Sequence, residues 1–161
     1  MTRAVGNKNR LNGVIGPIAG RSADWTVLVV DDEPGILDIV RRVLERANYA
    51  VIPSRSGDDA WDILERNRPS IDLVLTDIVM PGPIDGIVLA NKIRQKYQNL
   101  SVLFMTGSLP ERDNFATGMS RDRRLLRKPF SPRGLLEFID SHLGKDELEE
   151  KARSRIDLER V

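Results

Sequence analysis

Five short apolar runs, each closed by polar or turn residues and each followed by a longer stretch, constrain this chain more than anything else in it. The first, Thr26-Val27-Leu28-Val29-Val30, is continuous and rich in β-branched residues, as befits a strand covered on both faces. After Asp31-Asp32-Glu33, Pro34 suits the first turn of a helix. Ile36, Leu37, Ile39, Val40, Val43 and Leu44 then recur with helical period, to an end near Asn48. Tyr49–Ile52 reads as a second strand. Ser56 is placed to cap a second helix with Ala60, Trp61, Ile63 and Leu64 on its inner side, ended by Asn67-Arg68-Pro69. Ile71–Thr76 is a third strand, Gly86–Tyr97 a third helix, and Ser101–Met105 a fourth strand running into Thr106-Gly107-Ser108. Leu109–Arg124 is polar, anchored only by Phe115 and Met119, and predicts a short or loose helix. Leu125-Leu126 belongs to a fifth strand with Arg127-Lys128-Pro129-Phe130 at its end. Ser131-Pro132 then opens a last helix with Leu135, Leu136, Phe138, Ile139 and Leu143 inward and Gly144 as a cap. Strand and helix alternating in this way predict an α/β fold, a parallel sheet with helices on both faces. Right-handed crossovers then place every strand's C-terminal end on one edge, where ligands of open sheets bind.

At that edge the chain puts its most reactive side chains. Strand one ends in Asp31-Asp32, strand three in Asp77, strand four in Thr106 and strand five in Lys128. Each has an ordinary reading by itself: an acid pair that caps a helix, a strand-end hydroxyl, a solvated lysine. Together they form a constellation. Carboxylates about 5 Å apart repel by roughly 3 kcal/mol per pair at an effective dielectric of 20. A hard divalent cation relieves that, and Mg²⁺ favours carboxylates, a carbonyl and water. A carboxylate attacking a phosphoryl group needs the phosphoryl oxygens neutralised as well. Lys128 supplies a mobile positive charge and Thr106 a hydroxyl donor, leaving Asp77 as the nucleophile that becomes an acyl phosphate.

Composition excludes several alternatives. The 161 residues contain no cysteine and one histidine, so thiol chemistry, disulfides and multi-histidine metal sites are out. With 25 basic and 24 acidic side chains, the net charge of +1 makes no electrostatic case for nucleic acid as a direct partner. No apolar run has the length to span a bilayer. Residues 1–24 read as a flexible, mildly basic leader; Gly13, Gly16, Pro17 and Gly20 interrupt the segment that would otherwise resemble a signal peptide. Residues 25–144 form the folded unit. Residues 145–161 form a charged tail in which Glu147 with Lys151 and Glu149 with Arg153 support a helix, solvated or docking a partner. His142, at the end of the last helix, is expected to be a surface residue and no phosphodonor. Trp25 and Trp61 are expected to pack at the edge of the core.

LVVDDE at Leu28–Glu33, DIVMPG at Asp77–Gly82, MTG at Met105–Gly107 and KPF at Lys128–Phe130 together resemble the receiver domain of bacterial two-component response regulators, from about Trp25 to Leu143. The resemblance implies a flavodoxin-like (βα)5 fold with strand order 2-1-3-4-5. It implies that Asp77 is phosphorylated by a histidine on a sensor kinase or phosphotransfer protein, in the cytoplasm, and that the result is a change in binding to a downstream protein rather than enzymatic turnover. It implies Mg²⁺ on Asp32, Asp77 and the Val79 carbonyl, with Asp31 acting through water, Thr106 and Lys128 on the phosphoryl group, and a cis Lys128–Pro129 bond. The short tail suggests a stand-alone receiver, with a homodimer left open. Two departures stand out. MPGPIDG has one residue more than the commoner loop, and Leu125 stands where many receivers carry a switching aromatic ring. The alternatives are a receiver that relays phosphate to a phosphotransfer protein, a non-phosphorylated docking receiver and, from another class, a Mg²⁺-dependent phosphohydrolase with an Asp nucleophile. Such enzymes usually carry an acid two residues after the nucleophile, where this chain has Val79; the same valine predicts a long-lived aspartyl phosphate. The switch is expected to run from Thr106 into Leu109–Arg124.

Overall fold

The computed structural model describes residues 25–107 and 123–143. The expected leader, the C-terminal tail, the Gly144 cap and residues 109–122 of the expected loose helix lie outside the described residues. Strands β1 (Thr26–Val30), β2 (Ala50–Ser54), β3 (Leu73–Asp77), β4 (Ser101–Thr106) and β5 (Leu125–Arg127) form one sheet in the order β2-β1-β3-β4-β5. All four pairings are parallel. Between them run helices α1 (Pro34–Arg46), α2 (Gly57–Asn67) and α3 (Gly86–Lys96), and the last helix among the described residues, α4, covers residues 132–143.

The period-2 alternation of strand side chains divides the core into two layers. Val27 and Val29 of β1, with Leu73, Leu75, Leu103 and Met105, pack under Leu37, Val40 and Leu44 of α1 and Leu135 and Ile139 of α4. Leu28 and Val30 face the other way, with Val74, against Ala60 and Leu64 of α2 and Leu89 and Ile93 of α3. Both faces of β1 and β3 are covered, which is why their sequences are unbroken apolar runs. Each leucine buried here contributes about 1.5–3 kcal/mol relative to exposure.

Local chemistry sets the helix ends. The Ser56 hydroxyl accepts from the Asp59 N–H at 3.1 Å, and Ser131 accepts from the Gly134 N–H at 3.0 Å. Asp85 caps α3, accepting from the N–H groups of Ile87 and Val88 at 3.0 and 2.8 Å. Asn48, just past α1, takes the left-handed conformation with φ 68°, which asparagine tolerates. Two strands differ from expectation by two residues at one end, while β4 and β5 each run one residue further, through Thr106 and Arg127. β2 runs on through Pro53 to Ser54; it is an edge strand, where a proline leaves no ladder bond unmade. β3 starts later than Ile71, which follows a 3-10 turn at Arg68–Ser70, and it includes Asp77. Trp25 and Trp61 pack against the two core layers as half-buried edge residues, with the Lys92 ammonium 4.5 Å from the Trp61 ring centroid. The His142 ring is half-buried at the end of α4, with Nδ1 2.8 Å from the Phe138 carbonyl oxygen.

Candidate functional site

The strand ends converge as the topology requires. Asp77 is the last residue of β3 and pairs in register with Met105 of β4, so Thr106 follows at the neighbouring strand end. β1 ends one residue before Asp31, whose N–H donates to the Ser54 carbonyl of β2 at 3.1 Å. Lys128 follows β5, and its N–H donates to the Thr106 carbonyl at 2.8 Å. The Lys128–Pro129 peptide is cis, as the resemblance implied.

At the centre is the Lys128 ammonium. It stands 2.6 Å from Asp31 Oδ2 and 2.8 Å from Asp77 Oδ2, with Glu33 Oε1 at 3.9 Å. Asp31 is fully buried, and Asp77 and Thr106 nearly so. The remaining carboxylate oxygens are held by backbone: Asp31 Oδ1 accepts from the Glu33 N–H at 2.9 Å, and Asp77 Oδ1 from the Val79 N–H at 3.1 Å. Gly86 closes the site from below. A β-carbon there would lie 1.9 Å from the Asp77 carbonyl oxygen, so only glycine lets α3 begin this close to the strand end.

Carboxylate oxygens of Asp31, Glu33 and Asp77 lie within 4.8 Å of one another, a set of hard donors able to hold a divalent cation. Asp31, Asp77 and Lys128 are thus brought together as expected, with Thr106 beside them. The Asp32 carboxylate is not part of this trio; Glu33, which sequence reasoning passed over, is. The chain bends at Asp32, and the Asp31 carboxylate accepts from the Glu33 N–H across that bend. Two acids at spacing i, i+2 across a strand end were the available signal. Val79 offers a half-exposed side chain. Leu125 packs against Ile78 and Phe104 in a small cluster with Ile87 and Ala90.

Burial pushes the Asp31 carboxyl above the ordinary carboxylate range; Lys128 and the Glu33 N–H pull it down, and Asp77 pushes it further up. For Lys128, burial pulls downward, but the hydrogen bonds and charges of Asp31 and Asp77 outweigh it and the ammonium is held more firmly than usual. A carboxyl raised in the folded state binds its proton more tightly folded than unfolded. Stability of the protein without divalent ion therefore falls as pH rises from the ordinary value of 3.8 through Asp31's raised value. Asp31→Asn carries no such penalty. In urea melts without divalent ion it is expected to exceed wild type at neutral pH, with the gap closing toward about pH 4. A wild type more stable than the variant at neutral pH would contradict this account of Asp31.

The sequence pattern of the response regulator receiver domain matches residues 27–140. The chain belongs to the response regulator receiver family. The response regulator GtcR of Aneurinibacillus migulanus is 33% identical over 132 residues, covering 79% of this chain and 52% of that protein. The transcriptional regulatory protein ResD of Bacillus subtilis is 36% identical over 119 residues, covering 74% and 48%. Among solved structures, a receiver domain protein from Clostridium thermocellum has a TM-score of 0.67 at 27% identity, covering 77% of this chain and 98% of its own. A CheY-like receiver from Methanospirillum hungatei has a TM-score of 0.66 at 28% identity, covering 78% and 98%. The receiver fold and strand order expected from the sequence are therefore those found. The chain spans about half the length of the curated relatives GtcR and ResD. It is thus a receiver of two-component phosphorelay signalling, and no described helix is long and apolar enough to cross a membrane.

Proposed function

We propose that this receiver accepts a phosphoryl group on Asp77 from a phosphohistidine of a sensor kinase or phosphotransfer protein in the cytoplasm, and passes the signal on by altered protein binding. The observation that carries the reading is the Lys128 ammonium bridging the Asp31 and Asp77 carboxylates, two buried acids from different strands. Unpaired, such acids are costly to bury, and a stable fold alone gives no reason to keep them.

The oxygens of Asp31, Glu33 and Asp77, within 4.8 Å of one another, are hard donors of the kind Mg²⁺ takes. Asp31, Glu33 and Asp77 would hold it, with the Asp32 carboxylate and the Val79 carbonyl as the further oxygens that the family resemblance implies. When bound, it neutralises carboxylate and phosphoryl oxygens together. The chain's own groups do the rest. An Asp77 oxygen attacks phosphorus, the P–N bond to the donor histidine breaks, and the imidazole nitrogen keeps the electron pair and takes a proton. Lys128 moves from carboxylate to phosphoryl oxygen as a mobile cation, and the Thr106 hydroxyl donates to another. Mass spectrometry after incubation with acetyl phosphate and Mg²⁺ tests the proposal: one phosphoryl group on the peptide containing Asp77 is expected, and an unlabelled chain would refute it.

Hydrolysis of the acyl phosphate needs an oriented water, and the Val79 side chain, 54% exposed beside Asp77, can neither accept a proton nor orient one. A long-lived phosphoprotein is expected. Val79→Asn, which offers a polar hold on water, is expected to shorten the lifetime by about tenfold, read as the decay of label after removal of acetyl phosphate. An unchanged lifetime would show that residue 79 does not govern water.

A further inference from the structure

The loop from Asp77 to α3, one residue longer than the commoner family form, packs against α2. Met80 is buried in the same cluster as Ala60 and Leu64 of α2, and Ile84 packs on that cluster. At Gly57, the first residue of α2, a β-carbon would stand 2.0 Å from the Ile84 carbonyl oxygen and 2.7 Å from its Cγ2. The loop backbone reaches the first turn of α2 only because residue 57 has no side chain. At its other end the loop is tied by the Gly86 N–H, which donates to the Ile78 carbonyl at 3.0 Å. Between these ties lies Val79, whose N–H holds Asp77 Oδ1, while Lys128 holds Oδ2. Two hydrogen bonds on the two oxygens fix the direction of the carboxylate, and one of them depends on the path of the loop.

We infer that Gly57 is a positioning residue for phosphoryl acceptance. By seating the Ile84 carbonyl on α2 it sets the course of residues 78–84, and with it the aim of the Val79 N–H at Asp77. The inference rests on Asp77 being the acceptor. A nucleophile turned out of line is slow even when its reactants are bound, so the effect belongs in the rate at saturation rather than in binding.

The test uses the full chain and Gly57→Ala with saturating acetyl phosphate and Mg²⁺. Circular dichroism and urea melts report folding, and the NMR signal of the Val79 amide reports the loop. Expected are a folded variant, a displaced Val79 amide, and labelling of Asp77 slowed at least about tenfold per folded molecule. A glycine of packing value alone would lower the urea midpoint and leave both the rate and the Val79 amide as in wild type, which would overturn the inference. Should Gly57→Ala fail to fold, Pro83→Gly loosens the same loop without adding an atom at the contact. It is expected to displace the Val79 amide and slow labelling, and an unchanged rate and amide would equally overturn the inference. An unlabelled wild type refutes the functional proposal; a labelled wild type matched in rate by a folded Gly57→Ala refutes this inference alone.

Discussion

Asp77→Asn is expected to abolish phosphoryl incorporation from acetyl phosphate in Mg²⁺ while the chain remains folded. The single amide oxygen of asparagine can accept from the Val79 N–H or from Lys128, as Asp77 Oδ1 and Oδ2 do at 3.1 and 2.8 Å, but not from both; with the Val79 bond kept, the loop holds and the Lys128 ammonium turns to Asp31. Lys128 keeps Asp31 at 2.6 Å, so its charge is not left alone. What disappears is the nucleophile: an amide oxygen carries no full negative charge and forms no stable acyl phosphate. The variant also removes one of two acids that repel by roughly 3 kcal/mol at about 5 Å and an effective dielectric of 20. The variant is therefore not expected to unfold in the absence of divalent ion. Tandem mass spectrometry of the Leu73–Gly86 region reads the result directly. Label at Asp77→Asn equal to wild type would move the acceptor to another acid, with Asp31, Asp32 and Glu33 as the residues to substitute next.

Lys128→Met is expected to cost about 3 kcal/mol or more in the absence of divalent ion, since it strips the shared cation from two buried acids. The lysine side chain is only 10% exposed, so solvent screens little of this loss. A divalent ion bound between the carboxylates replaces the missing charge. Mg²⁺ should therefore raise the urea midpoint of Lys128→Met more than that of wild type, where Lys128 already neutralises the pair. The pH dependence has a definite sign. Lys128 has its pKa raised in the folded state, so its stabilising contribution is complete below the ordinary value of 10.5 and is lost as pH rises through the raised one. The gap between wild type and variant should hold at neutral pH and close only in strong alkali. It should also narrow in acid, where Asp31 recovers its proton. Equal stability at neutral pH without divalent ion would mean that the bridge contributes nothing.

Much of this was legible in the sequence because its causes are local. The apolar runs at Thr26–Val30 and Ser101–Met105 are strands because β-branched and aliphatic residues in short runs have little else to form, and Ser56 and Ser131 cap helices through bonds three residues away. Alternation then dictated a parallel sheet, and a parallel sheet puts Asp31, Asp77, Thr106 and Lys128 on one edge. The cap at Asp85 was equally local and was missed, although an acid before Gly86 was there to be read. The order of the strands was not local. It came with the family resemblance, because periodicity does not say which strand neighbours which.

Tertiary structure alone decided the finer arrangement of the site. Whether Asp32 or Glu33 joins the other acids depends on the course of the chain out of β1. That Lys128 bridges two carboxylates at once depends on side-chain reach between strands that are not sequence neighbours. The extra residue in MPGPIDG was visible from the start, but the contact of Ile84 with Gly57 was not, since it joins backbone segments far apart in the chain. Which residues have strand, helix, cap and acid chemistry could be read along the chain, because hydrogen bonding and hydrophobic period act over a few residues. The fold decided which of those acids share a cation and which backbone holds the nucleophile in place, because close approach between distant segments is settled only when the core has packed.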